Sequence, residues 1–196
     1  MTPILILAAG KSSRMRGGDK MLEDVDGMPL LRRQICVAVA TKQPVFVALA
    51  PNATQHLGVI ADLNATPLLV ADAAEGLSGT LRGSIPQLPQ SGAFMIMLAD
   101  LVALTTQDLL AVLTARTTSP DHLIWRGATS DGRAGHPILI DDRLRPEFAE
   151  LCGDDGGRGI LGPLREQTQL VTFADQRALF DLDTPEDWIS WRSTFS

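Results

Sequence analysis

The stretch Ile4-Leu5-Ile6-Leu7-Ala8-Ala9-Gly10-Lys11-Ser12-Ser13-Arg14-Met15-Arg16-Gly17-Gly18-Asp19-Lys20 decides the fold. Its first four residues are uniformly apolar, the pattern of a strand covered on both faces in the middle of a parallel sheet. A polar, glycine-containing loop follows, carrying Lys11, Arg14, Arg16 and Lys20 against one acid, Asp19. In open α/β sheets, ligands gather where such a loop leaves the carboxyl end of a strand. Ala8, Ala9 and Gly10 let an anion approach the backbone, whose N–H groups can cradle phosphate oxygens. The charge pattern alone is equally that of a solvated basic surface loop.

Working outward, short apolar runs alternate with amphipathic stretches. Strands are predicted at Val45 to Leu49, Pro67 to Val70 and Phe94 to Leu98. The helices between them are read at Met28 to Ala40, with Pro29 in the first turn, at Ala53 to Leu63, and at Ser78 to Leu88, which Pro86 ends or kinks. Thr105 to Ala115 is a helix capped by Thr105 or Thr106. Beyond Pro120 the pattern loosens. Leu123 to Trp125, Pro137 to Ile140 and Leu170 to Phe173 are strand candidates, with helical pieces at Asp141 to Leu151 and Arg158 to Arg165. Pro185 to Arg192 forms a terminal helix capped by Thr184. The alternation predicts an α/β fold with a mainly parallel sheet, as a single domain over residues 1–196. Its first half would bind the main ligand and its looser second half a second substrate.

Composition narrows the classes. The 196 residues are 45% hydrophobic and 20% charged, enough for a full core without staples. A formal net charge of −6 disfavours non-specific binding to nucleic acid or to anionic lipid, which makes the basic loop a local inversion. Ile4 to Leu7 is too short for a signal-peptide core, and no run approaches a bilayer span, so a soluble, cytoplasmic protein is expected. Cys36 reads as a small buried hydrophobe and Cys152 opens a glycine-rich loop. A reducing cytosol is the simpler reading for the pair, with a disulfide left open.

Two phosphate motifs fail. A P-loop requires a glycine five residues before Gly10-Lys11-Ser12, where Leu5 stands inside the strand. The dinucleotide fingerprint G-x-G-x-x-G does not follow this strand either. What the segment does resemble is the nucleotide-binding signature of the molybdenum-cofactor nucleotidyltransferases, Leu-Ala-Ala-Gly-x-Ser-x-Arg-Met followed by Asp-Lys. Later blocks are similar in the same order: Glu75 to Gly83, Ala99-Asp100, Gly135-His136-Pro137, Gly153-Asp154-Asp155-Gly156-Gly157-Arg158, and Asp181 to Asp187.

The resemblance implies a Rossmann-like nucleotidyltransferase fold and a Mg²⁺-dependent transfer. A nucleoside monophosphate moves from a nucleoside triphosphate to the phosphate of a molybdopterin-type cofactor, and pyrophosphate leaves. It implies that Leu7, Ala8, Ala9, Gly10, Lys11, Ser12, Arg14 and Lys20 hold the nucleotide phosphates, and that Ser78, Gly79 and Thr80 lie near base and ribose. Arg14, Lys20 and Asp100 would be catalytic, Asp100 and Asp183 would bind the metal, and His136, Asp155 and Arg158 would face the acceptor. Without the resemblance, Asp100 reads as a strand-end cap, Asp183 as part of a helix start, and His136 as a turn histidine. A client molybdoenzyme or its chaperone would be the implied protein partner.

The sequence also departs from the family pattern. Leu101-Val102 stand where Met-Pro usually follows the metal aspartate, Glu23-Asp24 replace a Leu-Pro, and Arg16 takes a position that is commonly glycine. Leu7-Ala8-Ala9-Gly10 resembles the cytidylyl branch, whereas the guanylyl branch more often carries Leu-Ala-Gly-Gly, which makes CTP the expected donor and GTP the alternative. Sugar-phosphate and methylerythritol-phosphate nucleotidyltransferases share a related loop. A non-catalytic accessory protein that binds cofactor for a molybdoenzyme is the rival of another class.

Overall fold

The computed structural model describes residues 1–153 and 156–195. β1 (Ile4–Leu7) leads through the basic loop into a hairpin of β2 (Asp24–Val25) and β3 (Met28–Pro29), then α1 (Leu30–Val39), β4 (Val45–Leu49), α2 (Thr54–Ile60) and β5 (Thr66–Leu69). The chain returns through α3 (Leu77–Ser84) to β6 (Ala93–Leu98) and α4 (Thr106–Thr118). It closes with β7 (Ile124–Ala128), β8 (Ala134–Asp141), α5 (Arg158–Leu161), β9 (Thr168–Thr172) and α6 (Pro185–Phe195). The main sheet has seven strands in the order β5-β4-β1-β6-β8-β7-β9. All neighbours are parallel except β8, which runs antiparallel to both β6 and β7.

The order reverses at β1: the chain winds outward through β4 and β5, then restarts on the other side at β6. That makes the carboxyl ends of β1 and β6 a topological switch point, where a crevice opens. Register brings the two ends level, with Leu7 opposite Leu98, and the ladder continues as the Ala99 amide donates to the Leu7 carbonyl at 3.2 Å. The loops leaving both strands therefore emerge side by side.

Alternation along β1 splits the core. Ile4, Ile6 and Ala8 pack on one face of the sheet, Leu5, Leu7 and Ala9 on the other. A third, smaller cluster lies beyond the strand ends and joins Met15, Val25, Leu30, Val102, Leu182 and Trp188. It binds four separate segments together around the crevice: the basic loop with its hairpin, the start of α1, the turn after β6, and the C-terminal helix.

The element types follow the sequence reading, with physical reasons for the differences. Pro29 closes the hairpin in extended conformation rather than opening the helix, and the Leu30 amide donates to the Glu23 carbonyl. The stretch after β8 is a 3-10 segment, Asp142–Glu150, because Pro146 inside it has no N–H for an α-helical bond. α3 stops at Ser84 and a 3-10 turn carries Pro86. Thr105 caps α4 in a reciprocal capping box with Asp108. Cys36 is only partly buried and Cys152 is exposed, and both are free thiols. Among the described residues no helix is long and apolar enough to cross a membrane.

Trp188 is 1% exposed at the centre of the third cluster. Trp188→Ala should lower unfolding free energy by about 3–5 kcal/mol in a denaturant titration. A loss under about 1 kcal/mol would show that the cluster does not hold the C-terminal helix to the crevice.

Candidate active site

The basic loop is shaped by its own polar side chains. Ser12 and Arg16 adopt left-handed conformations on either side of a 3-10 turn at Ser13–Met15, which drives Met15 into the third cluster. Asp19 closes the loop. Its carboxylate meets the His56 ring at 2.7 Å, the Met21 amide at 3.0 Å and the Ser12 hydroxyl at 3.4 Å, and the same hydroxyl accepts from the Lys20 amide at 3.3 Å. The hydrogen bond from His56 holds the Asp19 carboxyl below its ordinary value, against the opposing effect of burial. The loop's one acid is thus committed to structure.

Lys20 turns inward. Its ammonium donates to Asp100 Oδ2 at 2.6 Å and to Asp183 Oδ1 at 2.7 Å, with the side chain only 11% exposed. Burial alone would lower the pKa of such a lysine. The two carboxylates outweigh it, with Asp100 contributing more, and the pKa is raised. The other oxygen of Asp183 holds the Arg14 guanidinium at 2.6 Å. Asp100 Oδ1 is buried with no hydrogen-bond partner, a cost that calls for an occupant. Asp181 completes the group: one oxygen from each of Asp100, Asp181 and Asp183 lies within 4.8 Å of the others. Burial and then the neighbouring Asp183 and Asp100 charges raise the Asp181 carboxyl pKa.

Beside this cluster opens a cavity of about 480 Å³, a size suited to a small-molecule ligand. Leu7, Ala8, Ala9, Gly10, Lys11 and Lys20 form one wall, with Asp100 at the end where the carboxylates cluster. The opposite wall is Ala73 to Leu77 with Thr80. Lys11 reaches across to the Ala74 carbonyl at 3.5 Å. Glu75 on that wall is neutralised by Arg82 at 2.6 Å.

Of the residues assigned from the sequence to base and ribose, Thr80 lines the cavity, while Ser78 and Gly79 support it from behind. Ser78 is fully buried and accepts from the Gly156 amide at 3.1 Å, anchoring the glycine-rich loop. A Cβ on Gly79 would sit 2.2 Å from the Asp72 carbonyl, so only glycine lets α3 pack against this wall. His136 stands at the start of β8, two residues before Ile138, which pairs with Ile96, so it falls toward the carboxyl end of β6. Arg158 is exposed at the first position of α5. Asp155 lies outside the described residues.

The departures from the family pattern are absorbed locally. Glu23 pairs with Arg192 at 2.7 Å and Arg16 with Glu186 at 2.7 Å, both tying α6 to the loop. Leu101 and Val102 are buried, and the Val102 carbonyl accepts from the side chains of Arg33 and Gln34. Sequence reading missed His56, which has no motif around it, and Asp181. The latter was visible as the first acid of Asp181-Leu182-Asp183, whose alternation puts both acids on the side opposite buried Leu182.

A basic loop, a ligand cavity and three carboxylates converge at a switch point, an arrangement suited to a nucleotidyltransferase of the α/β class. Residues 4–170 match the model of the MobA-like NTP transferase domain, and the chain belongs to that family. It is 26% identical over 191 residues to the molybdenum cofactor guanylyltransferase of Serratia proteamaculans, covering 96% of this chain and 92% of that protein. Among solved structures it resembles Rv0371c from Mycobacterium tuberculosis H37Rv with a TM-score of 0.83 at 22% identity, over 98% of this chain and 97% of that one. The manganese complex of Rv0371C superposes with a TM-score of 0.78 at 21% identity, over 96% of each chain. These two likenesses are of fold.

Because the Asp19 pKa is lowered by folding, ionised Asp19 stabilises the native chain fully above its ordinary value of 3.8, and that contribution is lost as pH falls below it. Asp19→Asn should therefore flatten the fall in melting temperature below that pH. An acid limb identical to wild type would contradict the coupling to His56.

Proposed function

We propose that this enzyme transfers GMP from GTP to the phosphate of a molybdopterin-type cofactor and releases pyrophosphate. The observation that carries the reading is Lys20 held at 2.6 and 2.7 Å from Asp100 and Asp183 at the end of the cavity. An oxygen of the acceptor phosphate attacks the α-phosphorus. The new P–O bond forms as the bond to the bridging oxygen breaks, and the electron pair departs with pyrophosphate. Such a displacement is accelerated by positioning and by fixed charge around the non-bridging oxygens.

In this scheme Lys20 serves the α-phosphate, Arg14 and Lys11 serve the outer phosphates, and the backbone from Leu7 to Ser12 cradles them. Thr80 faces the sugar and base, with Ser78 and Gly79 setting its position. His136 and Arg158 stand on the acceptor side. The carboxylates of Asp100 and Asp183, with Asp181, fit Mg²⁺: they are hard oxygen ligands, and the buried Asp100 Oδ1 lacks a partner. When bound, the cation neutralises charge on the triphosphate and the leaving pyrophosphate.

The donor base follows the name of the curated relative, and guanine is the first reading. A second reading, transfer of CMP, is carried by Ala9, which lines the cavity where the guanylyl branch more often has glycine. A thermal-shift screen with Mg²⁺ separates them, since a ligand bound only by the native state raises apparent stability. GTP should stabilise most; stabilisation by CTP alone would favour the cytidylyl reading, and none by either would overturn nucleotide transfer.

Lys20→Ala should lower turnover by about 10²–10³ with little change in KM for the nucleotide, as expected for a charge that acts on the transition state. Unchanged turnover would remove Lys20 from the reaction. Asp100→Asn should raise the Mg²⁺ concentration needed for half-maximal rate by at least about tenfold. An unaltered Mg²⁺ titration would exclude Asp100 as a ligand.

A further inference from the structure

Seven arginines are partly buried in this protein, and six of them hold a carboxylate: Arg32, Arg33, Arg82, Arg116, Arg145 and Arg177. The seventh is Arg126, in the middle of β7. It pairs with no carboxylate among the described residues, and burial alone depresses its pKa. Its Nε donates to the Gly135 carbonyl at 3.0 Å, and its two terminal amino groups have no partner among the described residues. A guanidinium carries five donors in a planar fork, so four are left for something else. Those amino groups are not among the fully buried polar atoms without a partner, so solvent reaches them and an oxyanion can too, and a half-buried guanidinium gains a strong, bidentate partner in such an anion.

Its position says which anion. Arg126 pairs in register with Ile138, which pairs in turn with Ile96 on β6. It lies two residues from Ile124, on the sheet face that also carries Leu7 and Ala9 of the nucleotide cavity. From there the side chain reaches toward Gly135, nearer the carboxyl end of β6 and thus nearer Asp100. Its strand stands two spacings from β6, about 10 Å, so the guanidinium lies on the flank of the nucleotide cavity and not in its wall.

The surroundings fit the same occupant. A Cβ at Gly135 would meet the Ala178 carbonyl at 2.2 Å, so this strand start is pressed against the segment that delivers Asp181 and Asp183. The neighbouring His136 ring has a buried Nδ1 with no partner. Burial first, and then the Arg126 charge, push the His136 pKa down to about 4, so at neutral pH the imidazole is uncharged. The positive charge of this subsite is therefore supplied by Arg126, with His136 as a neutral polar neighbour.

We infer that Arg126 anchors the acceptor's phosphate monoester, the group whose oxygen attacks the α-phosphorus. The role rests on the transfer reading given above, and nothing in the basic loop or the carboxylate cluster supplies it. Gripping two oxygens of the monoester by the guanidinium fork leaves the third free to be aimed at the nucleotide.

Two measurements on the intact protein test this and keep it separable from the transfer reading. In steady-state pyrophosphate release with GTP, Mg²⁺ and varied molybdopterin, Arg126→Ala should raise the acceptor KM at least about tenfold while leaving the GTP KM within about twofold. Arg126→Lys, which keeps the charge and loses the fork, should fall between. An unchanged acceptor KM, or a parallel rise in both constants, overturns the assignment. If no pyrophosphate is released by the wild type, the transfer reading has failed and the second measurement decides alone. The arginine Nε–H NMR signal that is absent from Arg126→Lys is followed as inorganic phosphate is added to wild-type protein. A saturable shift of that signal supports the subsite, and an unmoved signal overturns it, whatever other arginines do.

Discussion

An ammonium group shared between two carboxylates organises this molecule. Lys20 comes from the first loop, and its partners lie 80 and 163 residues further along the chain. A buried pair of this kind contributes little net stability by itself, because desolvation offsets most of the attraction. Its consequence is geometric: the β1 loop, the end of β6 and the approach to α6 must meet at one point. The third hydrophobic cluster supplies the energy for that meeting. Met15, Val102, Leu182 and Trp188 belong to the same three regions and are all nearly fully buried. Apolar packing holds the segments in place, and the charges fix what faces the crevice.

The resting arrangement is also self-neutralising. Lys20 and Arg14 occupy Asp183, and Lys20 occupies one oxygen of Asp100. In the proposed reaction a triphosphate with its cation would offer both sets of groups stronger partners, Lys20 and Arg14 turning to phosphate oxygens and the carboxylates to metal. In a chain of net charge −6, this internal pairing keeps a compact basic loop beside three acids without unbalanced repulsion. The pairs of Arg16 with Glu186 and Arg192 with Glu23 do the same at the rim, where each contributes little energy but joins α6 to the loop.

Much of this was legible in the sequence because the deciding signals are local. Four consecutive apolar residues in β1 identify the strand without reference to anything distant, and the small residues and bases after them mark a candidate anion loop. Asp100 was legible as an acid at the end of a continuous apolar strand, but position alone reads it as a cap, and its candidacy as a metal ligand came from the resemblance. Strand direction was not: periodicity is blind to polarity, so β8 could not be recognised as the one antiparallel strand. The pairing of Asp19 with His56 and the closeness of Asp181 to Asp100 arise only when remote segments pack. Arg126 was unreadable for a different reason. Its distinction is that it faces no carboxylate among the described residues, and that is a property of the folded surroundings.

The central claim is that these groups catalyse transfer to a phosphorylated acceptor. It is tested most directly by incubating the protein with GTP, Mg²⁺ and molybdopterin, measuring pyrophosphate, and weighing the cofactor product by mass spectrometry. The account predicts pyrophosphate only when all three are present, in equal amount to a product heavier by one nucleotidyl group, a nucleoside monophosphate less one water. Tight binding of the cofactor with no pyrophosphate from GTP, CTP or any other nucleoside triphosphate would contradict it, and would make the protein a carrier of the cofactor instead.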